Sequence, residues 1–218
     1  MHDCSFCKQA SRGYVPSRPV DLPLTGTTSF VSWASLGALV EGWVLVVPRH
    51  HFLNLGALPD EQIGKFEEFV SGTRDLVATA YNSPVYQFEH GGTTPGSAVG
   101  CSVDHAHMHI VPTSLDLLRL AKMHASHLRW LPVEGPSEAR SICSDGESYL
   151  YLKQPDGRSY ATVGTELPSQ FFRQIIAKEL DLGEPYWRID ERIHTSNQTA
   201  WTLLRAAGSA DHARASAT

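Results

Sequence analysis

The sequence lacks the features of a membrane-spanning, secreted or nucleic-acid-binding chain. It has no run of 18 apolar residues, and its first residues lack the apolar core of a secretory signal. It also has no run of five or more Lys or Arg residues, and its net charge is -5, so it offers no broad positive surface. We therefore expect a cytoplasmic protein that binds a small ligand, with neither extended nucleic acid nor membrane as a partner.

Cysteines are scarce, and internal repeats and low-complexity linkers are missing. In a cytoplasmic chain, four cysteines indicate metal ligands or plain thiols rather than disulfides. Cys4 and Cys7 form a C-x-x-C motif, which needs two further ligands to complete a zinc site. Cys101 and Cys143 have no such partner in sequence, and we interpret them as structural. With 218 residues and 42% hydrophobic side chains, the chain can bury the core of one domain with an appended subdomain.

The hydrophobic pattern predicts alternating short elements over the first half of the chain. A strand begins at Phe30, and residues 43–47 form a continuously apolar, buried strand that ends at a proline. Apolar residues at helical spacing follow Pro59, with acidic residues in the first turn, and predict a long helix. Residues 85–90 form another strand before the glycine-rich loop 91–100.

The pattern in the second half of the chain predicts a C-terminal extension of the catalytic domain. Residues 115–125 form a helix, a hairpin turns at residues 155–157, and an amphipathic helix runs from Pro168 through Leu180. From Ala206 we predict a disordered tail. The predicted organisation is a catalytic domain over 1–136, a hairpin and helix extension over 137–205, and the tail over 206–218.

The segment GCSVDHAHMHIVP, residues 100–112, places His105, His107 and His109 at every second position. Successive side chains of a strand point to opposite faces, so the three imidazoles share one face and the apolar residues between them share the other. We predict that the apolar face belongs to the core and that the imidazoles line a pocket. Such a row can ligate one metal ion, or one neutral imidazole can attack phosphorus and carry a phosphoryl or nucleotidyl group.

The segment resembles the signature of the histidine triad (HIT) superfamily of nucleotide hydrolases and transferases, with Gly100, Ser102 and Val103 in the preceding Gly-x-Ser-Val. The segment GWVLVVPRHHFLNL is similar to a second family segment, with Pro48 and His51 at the matching positions. The C-x-x-C motif is a third match, and the three occur in family order over residues 4 to 113. The resemblance implies an α+β fold in which a long helix crosses an antiparallel sheet, here with a C-terminal hairpin and helix extension.

The resemblance also implies roles for individual residues. His107 would be the nucleophile, His109 would contact the phosphate, Ser102 would assist the leaving group, and Gly100 would lie at the substrate. Many family members form homodimers through the long helix and an adjoining strand, and we expect the same here.

The zinc-bearing branches, which include relatives of galactose-1-phosphate uridylyltransferase, imply one structural zinc per chain. The implied ligands are Cys4, Cys7, His51 and His105. Two cysteines and two histidines complete a tetrahedral shell, which is typical of a structural rather than a catalytic site.

Other positions bear on the substrate. The Asp that binds ribose in many nucleotide-binding members is replaced by Ser35, so we expect ribose recognition to differ. Trp43 can stack on a base. Gln170 and Arg173 lie near the start of a predicted helix, where they can meet a phosphate.

The leading interpretation is an enzyme that cleaves or transfers a nucleoside monophosphate through a covalent intermediate on His107. One alternative is a metal-dependent hydrolase or oxygenase in which His105, His107 and His109 all bind one catalytic metal. Another is a non-catalytic nucleotide sensor.

Overall fold

The computed structural model describes residues 4–100 and 103–215 and contains one antiparallel sheet with helices on both faces. The eight strands follow the order β1-β2-β3-β5-β4-β7-β8-β6. The strands are β1 Thr25–Gly26, β2 Phe30–Ala34, β3 Val44–Pro48, β4 Val85–Gly91, β5 Met108–Pro112, β6 Leu131–Pro132, β7 Ser148–Lys153 and β8 Ser159–Gly164. The helices are α1 Ser5–Gln9, α2 Asp60–Tyr81, α3 Leu117–His124, α4 Pro136–Ser141, α5 Phe171–Glu179 and α6 Ile193–Ala215. Three short 3-10 turns, Pro19–Asp21, Leu55–Ala57 and Ala98–Gly100, lie between them.

Strand β3 shows why a continuously apolar run becomes a central strand. Val44 and Val46 pack into the core layer beneath α2, whereas Leu45 and Val47 pack into the opposite layer, with α3 and α5. Because both faces of the sheet are covered, both sets of alternating side chains must be apolar. The predicted α+β fold is confirmed.

The long helix α2 begins and ends where sequence signals place its termini. Pro59 is its N-cap, and Asp60 and Glu61 follow in the first turn, where acidic side chains are favoured by the helix dipole. Asn82 closes the helix in a left-handed conformation with φ 45°, which asparagine adopts readily. Its buried side chains, Phe66, Val70, Thr73 and Val77, face the sheet.

The hairpin β7–β8 and helix α5 confirm the predicted C-terminal elements, and β7 pairs directly with β4. The sheet therefore continues across position 136, while the division into two domains at that position stays a prediction. In contrast to the disorder predicted from Ala206, α6 continues to Ala215. The segment is rich in alanine, which has the highest helix propensity, and it extends a helix already anchored by buried Ala200 and Leu203. Within the described residues, no helix is long and apolar enough to cross a membrane.

Candidate active site and metal cluster

Strand β5 begins later in the histidine segment than the alternation of residues predicts. The strand begins at Met108, so His109 lies within it, whereas His105 and His107 precede it. Pairing with β3 ends at Val46 opposite Met108, and β3 itself ends at Pro48. Before that point the segment bonds to loops instead; for example, the Ala106 amide donates to the Phe52 carbonyl over 2.7 Å.

The predicted alternation of faces is confirmed despite the shorter strand. Ala106, Met108 and Ile110 pack in the core layer beneath α2. The three imidazoles are buried on the opposite side of the segment, where the rings of His107 and His109 lie 4.8 Å apart between centroids. The apolar residues therefore fix the orientation of the imidazoles.

His107 is held in one tautomer by the backbone. Its Nδ1 lies 2.7 Å from the carbonyl oxygen of His105. A carbonyl can only accept a hydrogen bond, so Nδ1 carries the proton, and in the neutral ring the lone pair is on Nε2. Burial lowers the pKa of His107, which favours that neutral form at pH 7. The ring therefore presents a nucleophilic nitrogen.

His109 has the opposite tautomer. The indole Nε1 of Trp43, which can only donate, lies 2.9 Å from His109 Nδ1. The proton of the neutral ring is therefore on Nε2, which has no hydrogen-bond partner among the described residues. Burial, followed by the electrostatic effect of the nearby His107, His90 and Arg173, holds the pKa of His109 well below its usual range. His109 thus offers one N–H donor to a ligand.

A pocket of about 190 Å³ lies over these two rings. Phe6, Trp33 and Leu45 form apolar walls, and polar groups are distributed around them. The other lining residues are Ser5, Gln9, Arg18, Val20, Asp21, Ala34, Ser35, Leu36, Val103, Arg173 and Trp187, in addition to His107 and His109. An apolar enclosure with a few convergent polar groups is typical of a small-molecule site.

The cysteine motif forms a separate cluster beside the pocket. The ligand atoms of Cys4, Cys7, His51 and His105 all lie within 4.8 Å of one another. His105 Nδ1 is 3.4 Å from Cys4 Sγ and 3.5 Å from Cys7 Sγ, and His51 Nδ1 is 3.4 Å from Cys7 Sγ. Tetrahedral zinc, with bonds of about 2.3 Å to sulfur and about 2.1 Å to nitrogen, separates such ligands by about 3.6 Å. The observed spacing therefore fits a zinc-sized ion.

The chemistry of the donors also fits a metal. His105 Nε2 lies 2.8 Å from the Pro48 carbonyl, so the proton is on Nε2 and the lone pair of Nδ1 faces the sulfur atoms. Burial and the neighbouring Cys4 raise the pKa of Cys7 to about 11, so without a metal the thiol keeps its proton. A bound cation would displace that proton and take the sulfur as a thiolate.

The extension also supports the loop that carries His51. Glu89 accepts hydrogen bonds from the Leu55 amide over 2.7 Å and from the Tyr149 hydroxyl over 2.6 Å. Burial raises the pKa of Glu89 to about 8. Tyr149 belongs to β7, so a strand of the extension helps to hold the loop beside the cluster.

The structure corrects two of the predicted substrate contacts. Trp43 is fully buried against Phe88 and His109, so no face of its indole is available to a base, and it acts on His109 instead. Gln170 is buried at the start of α5 with φ 52° and does not line the pocket. The sequence shows that Trp43 lies in an apolar run and that Gln170 lies near the start of a helix. It does not show which side chains pack against them.

Arg173, in contrast, lines the pocket, and its contact with substrate stays a prediction. Its guanidinium lies 5.0 Å from the Trp43 ring and donates to the carbonyls of Gly37 and Pro185. Gly100, the first residue of the histidine segment, ends a 3-10 turn. Ser102 lies outside the described residues.

Several residues in or beside the pocket are not among the site residues predicted from the sequence. Phe6 lies between the two cysteines, which is a signal that it shares their location. The Asp21 carboxylate accepts hydrogen bonds from Nε and Nη2 of Arg18, over 2.9 and 3.0 Å. The sequence shows this pair as two opposite charges three residues apart. His90 is buried beside His109, with no hydrogen-bond partner for either ring nitrogen among the described residues. Trp187 reaches the pocket from the extension.

Comparison with known proteins gives a match to one family. Residues 30–115, which include the histidine segment, match the HIT domain family. The chain is 28% identical over 110 residues to the adenosine 5'-monophosphoramidase of Candida albicans, a match covering 50% of this chain and 69% of that protein. It is 25% identical over 190 residues to zinc finger CCCH domain-containing protein 64 of Arabidopsis thaliana, covering 80% of this chain and 30% of that protein.

Solved structures with similar folds include a HIT family member from Bacillus subtilis, at 20% identity and a TM-score of 0.42, over 58% of this chain and 98% of that one. Another is a hypothetical histidine triad nucleotide-binding protein from Sulfolobus tokodaii, at 21% identity and a TM-score of 0.41, over 50% of this chain and 68% of that one. Residues 116–215 lie beyond the family match.

Proposed function

We propose that this protein hydrolyses or transfers a nucleoside monophosphate group through a covalent intermediate on His107. The observation that carries the proposal is the hydrogen bond from His107 Nδ1 to the His105 carbonyl, which leaves Nε2 as the nucleophile in a buried, neutral ring. The adenosine monophosphoramidase relative supports a nucleoside phosphoramidate as the first substrate to test.

The proposed reaction has two displacements at phosphorus. His107 Nε2 forms a bond to phosphorus, and the bond from phosphorus to the leaving group breaks, with the electron pair going to the leaving group. Ser102 is proposed to assist the leaving group by donating or relaying a hydrogen bond while that group takes up a proton from solvent. Water, which releases a proton to solvent, or a second phosphate then attacks phosphorus; the N–P bond breaks with its electron pair going to Nε2, and His107 returns to its neutral form.

We propose that other groups lining the pocket balance the charge on the phosphate. His109 can donate a hydrogen bond from Nε2 to a phosphate oxygen. Its proton does not have to move when the ligand binds, because Trp43 already fixes the tautomer. Arg173 supplies a positive charge from α5, held in place by two carbonyls. Gly100 is proposed to allow close approach of the phosphate to the backbone.

We also propose that Cys4, Cys7, His51 and His105 hold one structural zinc, as in the zinc-bearing branch related to galactose-1-phosphate uridylyltransferase. Zinc here would serve the fold, because four protein donors leave no position for a substrate. His105 and His107 are thereby assigned to different sites, in contrast to the alternative of three histidines on one catalytic metal. Homodimerisation is a further proposal, which light scattering in solution tests.

The test is a substrate panel of adenosine 5'-monophosphoramidate, dinucleoside polyphosphates and nucleotide sugars. We expect turnover of at least one of them by the wild-type protein, unaffected by mild chelation, and none by His107→Gly. Binding of AMP without turnover of any compound would favour the nucleotide sensor over the enzyme.

A further inference from the structure

Helix α1 belongs to both the metal cluster and the pocket. Cys4 is its N-cap residue and Cys7 lies within it, and both contribute to the cluster. Ser5 and Phe6, which lie between the two cysteines, and Gln9, which follows them, line the pocket. One turn of helix therefore separates the proposed metal from the proposed substrate.

Phe6 covers the proposed nucleophile. Its ring meets the His107 ring edge-on at a centroid distance of 5.4 Å and an interplanar angle of 82°. It meets Trp33 with the same distance and angle, and so closes the apolar wall of the pocket. His107 is only 6% exposed in this arrangement. Phe6 is therefore one of the side chains that form the pocket wall beside His107.

Helix α1 does not hold this position by its own stability. It has five residues and no side-chain hydrogen bond at its N-cap, and helices this short are unstable in isolation. Its C-terminal end is anchored, because Ala10 is buried and its carbonyl accepts from Arg49. Its N-terminal end is tied to the rest of the protein through Cys4 and Cys7, which contact His51 and His105.

We propose that α1 couples the two sites: metal held by Cys4 and Cys7 keeps Phe6 over His107, so metal loading completes the wall of the nucleotide pocket. Since coupling between two binding equilibria is reciprocal, nucleotide must raise the affinity for the metal by the same factor that the metal raises the affinity for nucleotide. The nucleotide half of this proposal rests on the proposed function, whereas the covering of His107 does not.

The first experiment measures the cover without a substrate. Diethyl pyrocarbonate modifies exposed imidazoles, and peptide mass spectrometry gives the rate at His107 alone. We expect removal of zinc from the wild-type protein to raise this rate about tenfold. Phe6→Ala should react at the raised rate while still holding zinc, and Lys8→Arg, which keeps the charge at an exposed position of α1, should behave like wild type. A His107 rate that does not change on zinc removal contradicts the coupling, whether or not the protein is an enzyme.

The second experiment measures the linkage. Calorimetry should show AMP binding about tenfold more tightly with zinc than without it, a factor within the usual range of coupling between sites. A chelator competition should show zinc held about tenfold more tightly with AMP present. Phe6→Ala should lose both effects and retain zinc. Equal AMP affinity with and without zinc, in a protein that turns over its substrate, contradicts the coupling and leaves the proposed function standing. Absence of turnover, with the His107 result intact, contradicts only the proposed function.

Discussion

The cysteine–histidine cluster and the pocket meet at His105 and His107. These two residues have the same side chain but are held in opposite tautomers. Both rings donate to a backbone carbonyl, but His105 does so from Nε2 and His107 from Nδ1. The lone pair of His105 therefore faces two cysteines from Nδ1, and the lone pair of His107 is on Nε2. The backbone thus selects which nitrogen keeps a lone pair, which suits His105 to the proposed metal site and His107 to the proposed attack on phosphorus.

The two sites are also linked through the backbone. The carbonyl that fixes the tautomer of His107 belongs to His105, whose ring lies in the cluster. Anything that moves His105 thus also moves the acceptor on which His107 depends. Substitutions in one site at a time test whether the function of each site depends on the other.

The largest effect is expected from removing the nucleophile. His107→Ala should lower kcat/KM by at least about 10³-fold, because the pocket remains but the two-step route through the imidazole does not. Zinc content should be unchanged, since His107 is not in the cluster. Steady-state assays and elemental analysis measure the two quantities. His127→Ala, which removes an exposed histidine elsewhere, is the control and should retain wild-type values.

Removing a cluster ligand should produce the complementary pattern. Cys4→Ser or Cys7→Ser should lower zinc content and reduce Tm by roughly 5 to 10 °C, as expected for a loss of about 2 to 3 kcal/mol in a domain of this size. Calorimetry and elemental analysis measure the effect. Cys143→Ser, the same substitution at a half-buried thiol outside the cluster, should keep its zinc. Full zinc content in both cluster variants would contradict the ligand assignment.

A smaller effect is expected when the tautomer of His109 is released. Trp43→Phe removes the indole donor and keeps an aromatic ring, so kcat/KM should fall about tenfold, the value of one neutral hydrogen bond. Imidazole ¹⁵N chemical shifts should show that His109 is no longer protonated only at Nε2. Trp201→Phe, at an exposed position, is the matched control. An unchanged His109 spectrum in Trp43→Phe would contradict the role given to the indole.

The smallest effect concerns His90, whose pKa burial lowers to about 3, with further contributions from His107 and Arg173. In the unfolded chain this histidine binds a proton near pH 6.5, and in the folded protein it does not. Stability from this group is therefore complete above pH 6.5 and is lost as pH falls below it. The raised pKa of Glu89 acts in the opposite direction, so a single variant must isolate His90.

His90→Phe provides that comparison, because it also removes two buried nitrogens that have no partner among the described residues. We expect the difference in unfolding free energy between the variant and wild type to favour the variant more at pH 5 than at pH 8. Denaturant unfolding at the two pH values measures it. A difference independent of pH would show that His90 is not held neutral.

Sequence alone predicted the features that depend on local chemistry. The apolar alternation around the histidines and the termini of α2 follow from residue type and spacing. The set of cluster residues was implied by the family resemblance, and the structure brings these residues together. The start of β5 at Met108 was not predictable from alternation, because it depends on where the neighbouring strand ends.

The pocket walls depend on distant contacts and so were missed. Asp21 and Trp187 come from opposite ends of the chain, and nothing in their local sequence places them over His107. Trp43 was assigned to the substrate because an aromatic side chain can stack on a base, yet its partner is His109 across the sheet. Such pairings follow from strand register and packing, which a single sequence does not display.

The nucleophile assignment is tested most directly by trapping the intermediate. Wild-type protein should be mixed with labelled adenosine 5'-monophosphoramidate, quenched within the first turnover, and digested for mass spectrometry. The account predicts a nucleotidyl adduct on His107 that is stable in alkali and lost in acid, as an N–P bond is. Turnover of this substrate with no trapped label, or with label on another residue, would contradict the assignment of His107 as the nucleophile.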